Sequence, residues 1–187
     1  MIAVACDRWV YHHIAWAKVY DTDWGRALRT AGYWPTWILV SAALWIEGRP
    51  QELARWRARS LAVSVTAAGL LGELSKLLLR RERPNAHDGA YFFRPFSDHP
   101  FSTSGIGLPS SHAFLAFAAA GVLAKLFPKT APMWYVLASG CALTRVLSQA
   151  HFLSDVVVGA LLGLAVAATT ERSLAAAGWG PAHAYTS

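Results

Sequence analysis

Lys76 is followed by Arg83-Pro84, then by Pro109-Ser110-Ser111-His112, and then by Arg145, His151 and Asp155. Three cations suit a phosphate with two or more negative charges, and the charge that spreads over its equatorial oxygens during transfer. His151 and Asp155 stand four apart, one helical turn, so the carboxylate is expected to accept the imidazole Nδ1–H. That leaves Nε2 free to attack phosphorus and steadies the cation that results. Pro109-Ser110-Ser111-His112 reads as a helix start, where Ser110 or Ser111 caps and free backbone N–H groups form an anion site. Lys76 and Arg83 are seven apart, two turns, so a continued helix would stack them on one face.

Each part also has a structural reading. Basic residues beside membrane spans are commonly anchors, and an isolated His-x3-Asp is commonly a hydrogen-bonded pair. Chemistry is favoured because all of them fall at the same ends of consecutive helices.

The elements that must bring them together read as membrane helices. The 187 residues are 55% hydrophobic and 15% charged, with mean hydropathy +0.31. A soluble domain usually carries about 25% charged residues. The net charge of +6 points to phosphate or anionic lipid; without a basic, aromatic-interleaved face, nucleic acid is not expected. Cys6 and Cys141 provide neither a disulfide framework nor CxxC spacing. Asp7 and Arg8 interrupt the first apolar stretch, so it does not read as a signal peptide.

The chain reads as one domain, an all-α polytopic bundle of about five transmembrane helices behind an N-terminal interfacial helix. Residues 1–29 mix tryptophans and tyrosines with charges, as an amphipathic interfacial segment does. His12 and His13 have no partner spaced for a metal. Spans are expected at 30–46, 60–79, 110–127, 130–144 and 152–170, with Trp34, Trp37 and Trp45 as interfacial anchors of the first. The polar stretch 47–59, with Arg49, Arg55, Arg57 and Arg59, marks the cytoplasmic side. The helix carrying Glu73 and Lys76 should end before Pro84, and Glu73 is expected to partner Lys76 or another basic residue. A long connection, 85–108, is punctuated by glycine and proline and rich in aromatics, so it is expected to be ordered. Arg94 in it is a possible extra phosphate contact or a solvated arginine. The tail 173–187 is uninformative. In an up-and-down bundle the chemically equipped ends share one face, opposite the Arg-rich stretch, and so face away from the cytoplasm.

At these residues the chain resembles the type 2 phosphatidic acid phosphatase family of membrane lipid phosphatases, whose core is shared with vanadium haloperoxidases. The family signature runs Lys-x6-Arg-Pro, Pro-Ser-Gly-His and Ser-Arg-x5-His-x3-Asp. Lys76, Arg83, Pro84, Pro109, Ser110, His112, Arg145, His151 and Asp155 match it in order. Ser111 replaces the signature glycine and Thr144 the serine. The resemblance implies that His151 is the nucleophile, Asp155 orients it, and His112 is the general acid. Lys76, Arg83, Ser110, Ser111 through its backbone, and Arg145 would hold the phosphoryl oxygens, with no metal and no cofactor.

The implied activity is metal-independent hydrolysis of a lipid phosphate in a bacterial-type inner membrane, with the site facing the periplasm. Undecaprenyl diphosphate is the first substrate choice, ahead of phosphatidic acid, phosphatidylglycerol phosphate and lipid A phosphates. A vanadate-dependent peroxidase would use the same residues, but the spans suit a lipid. A non-catalytic phospholipid-binding or transport protein would need neither His112 nor His151.

Overall fold

A computed structural model describes residues 2–48 and 52–177. Arg49 and the end of the tail, 178–187, lie outside the described residues. The described chain is all-helical, without strands: α1 Ile2–His13, α2 Asp23–Thr30, α3 Trp34–Glu47, α4 Glu52–Leu79, α5 Ser111–Leu126, α6 Ala131–Leu147 and α7 Leu153–Ala176.

The apolar, alanine-rich helix α5 is the hub. Twelve of its 16 residues are buried, because α4, α6 and α7 all pack on it, α7 most extensively. The α5–α7 seam is close because α7 offers small residues there. A side chain at Gly163 would meet the Phe114 carbonyl oxygen at 2.4 Å, and one at Gly159 the Ser110 oxygen at 2.6 Å. This Gly-x3-Gly row lets two backbones touch, the way helices pack where lipid removes any hydrophobic drive to associate.

Two helices, 52–79 and 153–174, are long and apolar enough to cross a bilayer. At 1.5 Å per residue the 28-residue α4 is about 42 Å long, whereas α3, with 14, reaches only about 21 Å. The first expected span, 30–46, is thus shorter than its charge-free sequence implied, because 30–33 belongs to the end of α2 and a turn. The expected polar connection 47–59 is also shorter: from Glu52 it is already the start of α4. Large apolar side chains remain exposed around the bundle, among them Leu39, Leu70, Leu78, Val136 and Leu161. Trp37 is not the anchor expected; it is buried and donates its Nε1–H to the Ala31 carbonyl at 2.8 Å.

Residues 2–30 do more than lie at an interface. Helix α1 packs on α7, and α2 on α6. The reason is polar: Asp7 is buried, accepting the Ser154 backbone N–H at 2.8 Å and the Tyr91 hydroxyl at 2.7 Å, as well as the Ser154 hydroxyl.

Candidate active site

The C-terminal ends of α4 and α6 and the N-terminal ends of α5 and α7 converge, carrying the expected residues to one end of the bundle. Helix α4 stops at Leu79, not because of Pro84 but because Arg80 turns left-handed at φ 51°. Its N–H closes the last turn on the Lys76 carbonyl at 3.0 Å. A left-handed non-glycine residue costs on the order of 1 kcal/mol. Arg80 offsets that by donating to the carbonyls of Arg94 (3.0 Å), Pro95 (3.0 Å), Pro100 (3.3 Å) and Asp98, which fixes the loop 91–101.

Lys76 and Arg83 therefore do not stack on a continued helix. Lys76 is buried on α4, and Arg83 lies on an extended segment held by bridges from Arg81 to Phe93 and from Glu82 to Ile106. Lys76 Nζ pairs with Glu73 at 2.8 Å, as expected, and Glu73 also accepts the Ser111 hydroxyl at 2.9 Å. Arg94 is not a freely solvated arginine. It is held by Glu82 at 2.6 Å and the Ser104 carbonyl at 2.9 Å.

His151 is buried, and its Nδ1 lies 2.9 Å from the Gly107 carbonyl. A carbonyl only accepts, so Nδ1 carries the proton and Nε2 presents its lone pair. The expected partner was Asp155. Its Oδ2 is 3.7 Å from Nδ1 and accepts the Phe152 N–H at 2.8 Å instead. Asp155 thus reaches back to the residue before α7, as the third helical residue of a capping box does. Its Oδ1 pairs with Arg81, whose guanidinium also donates to Ser154 Oγ at 2.6 Å and lies over the rings of Tyr91 (5.0 Å) and Phe152 (5.2 Å). The Asp155 carbonyl in turn accepts the Ser110 N–H at 3.0 Å, tying the start of α5 to the start of α7.

Ser110 precedes α5 without capping it through its side chain. Its Oγ is buried without a hydrogen-bond partner among the described residues, and so are the Nε atoms of Arg29, Arg83 and Arg145 and His112 Nε2. Arg145 donates through Nη1 to the Tyr20 hydroxyl at 2.8 Å. The His112 ring meets Tyr33 edge-on at 5.1 Å, and Gly32 is seated against it so closely that a side chain there would come within 2.6 Å. Burial, followed by the charges of Arg145 and Arg29, lowers the Arg83 pKa from its ordinary value. Such a concentration of buried, unpaired donors and like charges suits a multiply charged anion.

Burial also lowers His151 to a pKa of about 4; Asp155 works against the shift, and the charges of Arg145 and Arg83 add to it. In the unfolded chain an imidazole protonates near 6.5. The native contribution is therefore fully present above about pH 6.5 and is lost as pH falls through about 4. Thermal unfolding of the wild type should lose stability relative to His151→Gln over that interval, with no such divergence above pH 7. Parallel curves at every pH would contradict it.

Asp7, Tyr20, Arg29, Arg80 and Arg81 are site or support residues that the motif spacing missed. An aspartate within the first apolar stretch, and two arginines inside the spacer of Lys-x6-Arg, were the available signals.

A helical bundle with a cationic, histidine-bearing pocket at one end defines the class. The chain belongs to the PAP2 superfamily, whose model matches residues 57–179. It is similar to the lipid A 1-phosphatases of Rhizobium etli (33% identity; 67% of this chain, 60% of the relative) and Rhizobium johnstonii (34%; 67% and 57%). It is also similar to the decaprenylphosphoryl-5-phosphoribose phosphatase of Mycobacterium tuberculosis (30%; 71% and 69%). The chain spans about three fifths of the length of the Rhizobium relatives. No solved structure matches it significantly.

Proposed function

We propose that this chain is an integral-membrane lipid phosphatase working through a phosphohistidine, with its bundle of about five spans in an inner membrane and its site facing the periplasm. The observation that carries the reading is the 2.9 Å approach of His151 Nδ1 to the Gly107 carbonyl, an acceptor that requires the proton on Nδ1. It leaves Nε2 unprotonated beside buried donors of Arg83, Arg145 and Ser110 that have no partner among the described residues.

The Nε2 lone pair attacks phosphorus, and the bond from phosphorus to the lipid's oxygen breaks. His112, protonated at Nε2, gives that proton to the leaving oxygen. Water then attacks the phosphohistidine, His112 takes up its proton, and inorganic phosphate leaves with the N–P electron pair returned to His151. Lys76, Arg83, Arg145, Ser110 and the Ser111 backbone N–H hold the phosphoryl oxygens throughout.

A lipid is the substrate class for two reasons. Apolar side chains are exposed around the bundle, and a groove of about 390 Å³ runs from Glu73 and Ser111 along Leu115, Gly69, Leu70 and Trp34. Undecaprenyl diphosphate is the substrate to try first, with lipid A, decaprenylphosphoryl-5-phosphoribose and phosphatidic acid as competitors. Purified protein in detergent with EDTA should release phosphate from at least one of them. Release that EDTA abolishes would overturn the mechanism, and release from none would overturn the activity.

A further inference from the structure

We propose that Arg29, which lies outside the signature, binds the substrate's phosphate directly and supplies the charge that Glu73 withdraws from Lys76. This rests on the phosphatase reading for its substrate and on the geometry below for its site.

Arg29 sits in the last turn of α2, and its backbone carbonyl accepts the Cys141 thiol at 3.9 Å, which fastens that turn to α6. Its guanidinium lies over two rings, Tyr20 at 4.7 Å and Tyr33 at 5.5 Å. Both rings belong equally to the pocket. The Tyr20 hydroxyl takes a hydrogen bond from Arg145 at 2.8 Å, and Tyr33 meets the His112 ring at 5.1 Å. Arg29 is thereby placed between the arginine at the end of α6 and the histidine at the start of α5. Its Nε is buried without a hydrogen-bond partner, and no carboxylate is ion-paired to it among the described residues. Stacking on two tyrosines keeps the guanidinium plane fixed while leaving its N–H edge for an acceptor.

Charge balance gives this position its purpose. Lys76, Arg83 and Arg145 would present three positive charges, but Glu73 pairs with Lys76 at 2.8 Å and cancels one. Arg29 restores the third. Both Arg29 and Glu73 act electrostatically on Arg83, as residues sharing one pocket must.

The test is calorimetric titration of inorganic phosphate into the purified full chain in detergent. Wild type is compared with Arg29→Ala, Arg29→Lys, Glu73→Gln, the Arg29→Ala/Glu73→Gln double variant, and Lys129→Ala, which removes an exposed charge at the far end. Arg29→Ala should weaken phosphate binding roughly 10- to 100-fold. Glu73→Gln should tighten it and should recover part of the loss in the double variant, a charge rescue that a purely structural arginine would not produce. Lys129→Ala should change nothing.

Unaltered binding by folded Arg29→Ala, an equal loss in Lys129→Ala, or no binding by wild type would overturn the proposal. Should Arg29→Ala fail to fold, Arg29→Lys and Glu73→Gln decide. Arg29→Lys keeps the charge and should keep at least part of the affinity, so binding lost in Arg29→Lys as fully as expected for Arg29→Ala, or unchanged or weakened binding by Glu73→Gln, overturns it. Calorimetry needs no turnover, so phosphate bound through Arg29 by a protein that hydrolyses no lipid would sink only the phosphatase reading.

Discussion

His151→Ala should lower the rate of phosphate release by roughly 10⁴-fold or more, because it removes the atom to which phosphorus is transferred. The loss should fall on kcat, with phosphate affinity largely kept, since Arg83 and Arg145 approach the pocket from other chain segments. Acid-resistant label should not be sought. A phosphohistidine is trapped by rapid quench into alkali, and wild type should then carry radioactive phosphate from labelled lipid while His151→Ala carries none. His112→Ala should instead release phosphate more slowly yet still form label from a substrate with a good leaving group, which needs no proton donor. Label on His151→Ala with none on His112→Ala would exchange the two roles; label on both variants would remove the nucleophile from either position.

Asp155→Ala should destabilise the protein by about 3–5 kcal/mol, the range for breaking one side of a buried ion pair. Asp155 and Arg81 are both buried, and the carboxylate is shared between Arg81 and the Phe152 N–H. Removing it strands the guanidinium between two aromatic rings. Arg81→Met should cost a similar amount by leaving the carboxylate unpaired, whereas Arg81→Met with Asp155→Leu should cost much less than the sum of the two. Unfolding in detergent followed by circular dichroism measures all three. If Asp155 acted only by orienting His151, activity would fall in Asp155→Ala while stability held, and the cycle would be additive.

The distinction matters because spacing and the family resemblance both assign Asp155 to the imidazole. Four residues do place His151 and Asp155 within 3.7 Å, so the helical-turn argument found the neighbour. It could not find the competitor: the Gly107 carbonyl arrives from a loop 44 residues away. The same limit explains Arg83. Counting turns from Lys76 assumed a helix that continues, and the left-handed Arg80 ends it. Recurrence at helix ends was legible because apolar runs mark spans and the motifs sit at their margins. Which loop atom fills which hydrogen bond was not, because that depends on tertiary approach.

The N-terminal segment shows the limit in another form. Its mixture of aromatic and charged residues is what an interface helix carries, and beyond the aspartate in its apolar stretch the composition of 1–29 holds no sign that Tyr20 and Arg29 face inward. In the sequence Asp7 reads only as a break in an apolar run. A carboxylate there, within an otherwise apolar turn, makes sense once Ser154 and Tyr91 stand opposite it.

That pairing has a consequence for how the protein comes into being. Asp7 and Ser154 are 147 residues apart, so on a ribosome adding about 5–20 residues per second the aspartate waits roughly 7–30 s for its partner. His151 lies three residues ahead of Ser154 and emerges just before it. The proposed nucleophile and the clasp that seats α7 against α1 are therefore delivered together, after every cation of the pocket has been made. Up to that moment the chain carries Arg29, Lys76, Arg83 and Arg145 without the α7 residues that tie the start of α5 in place.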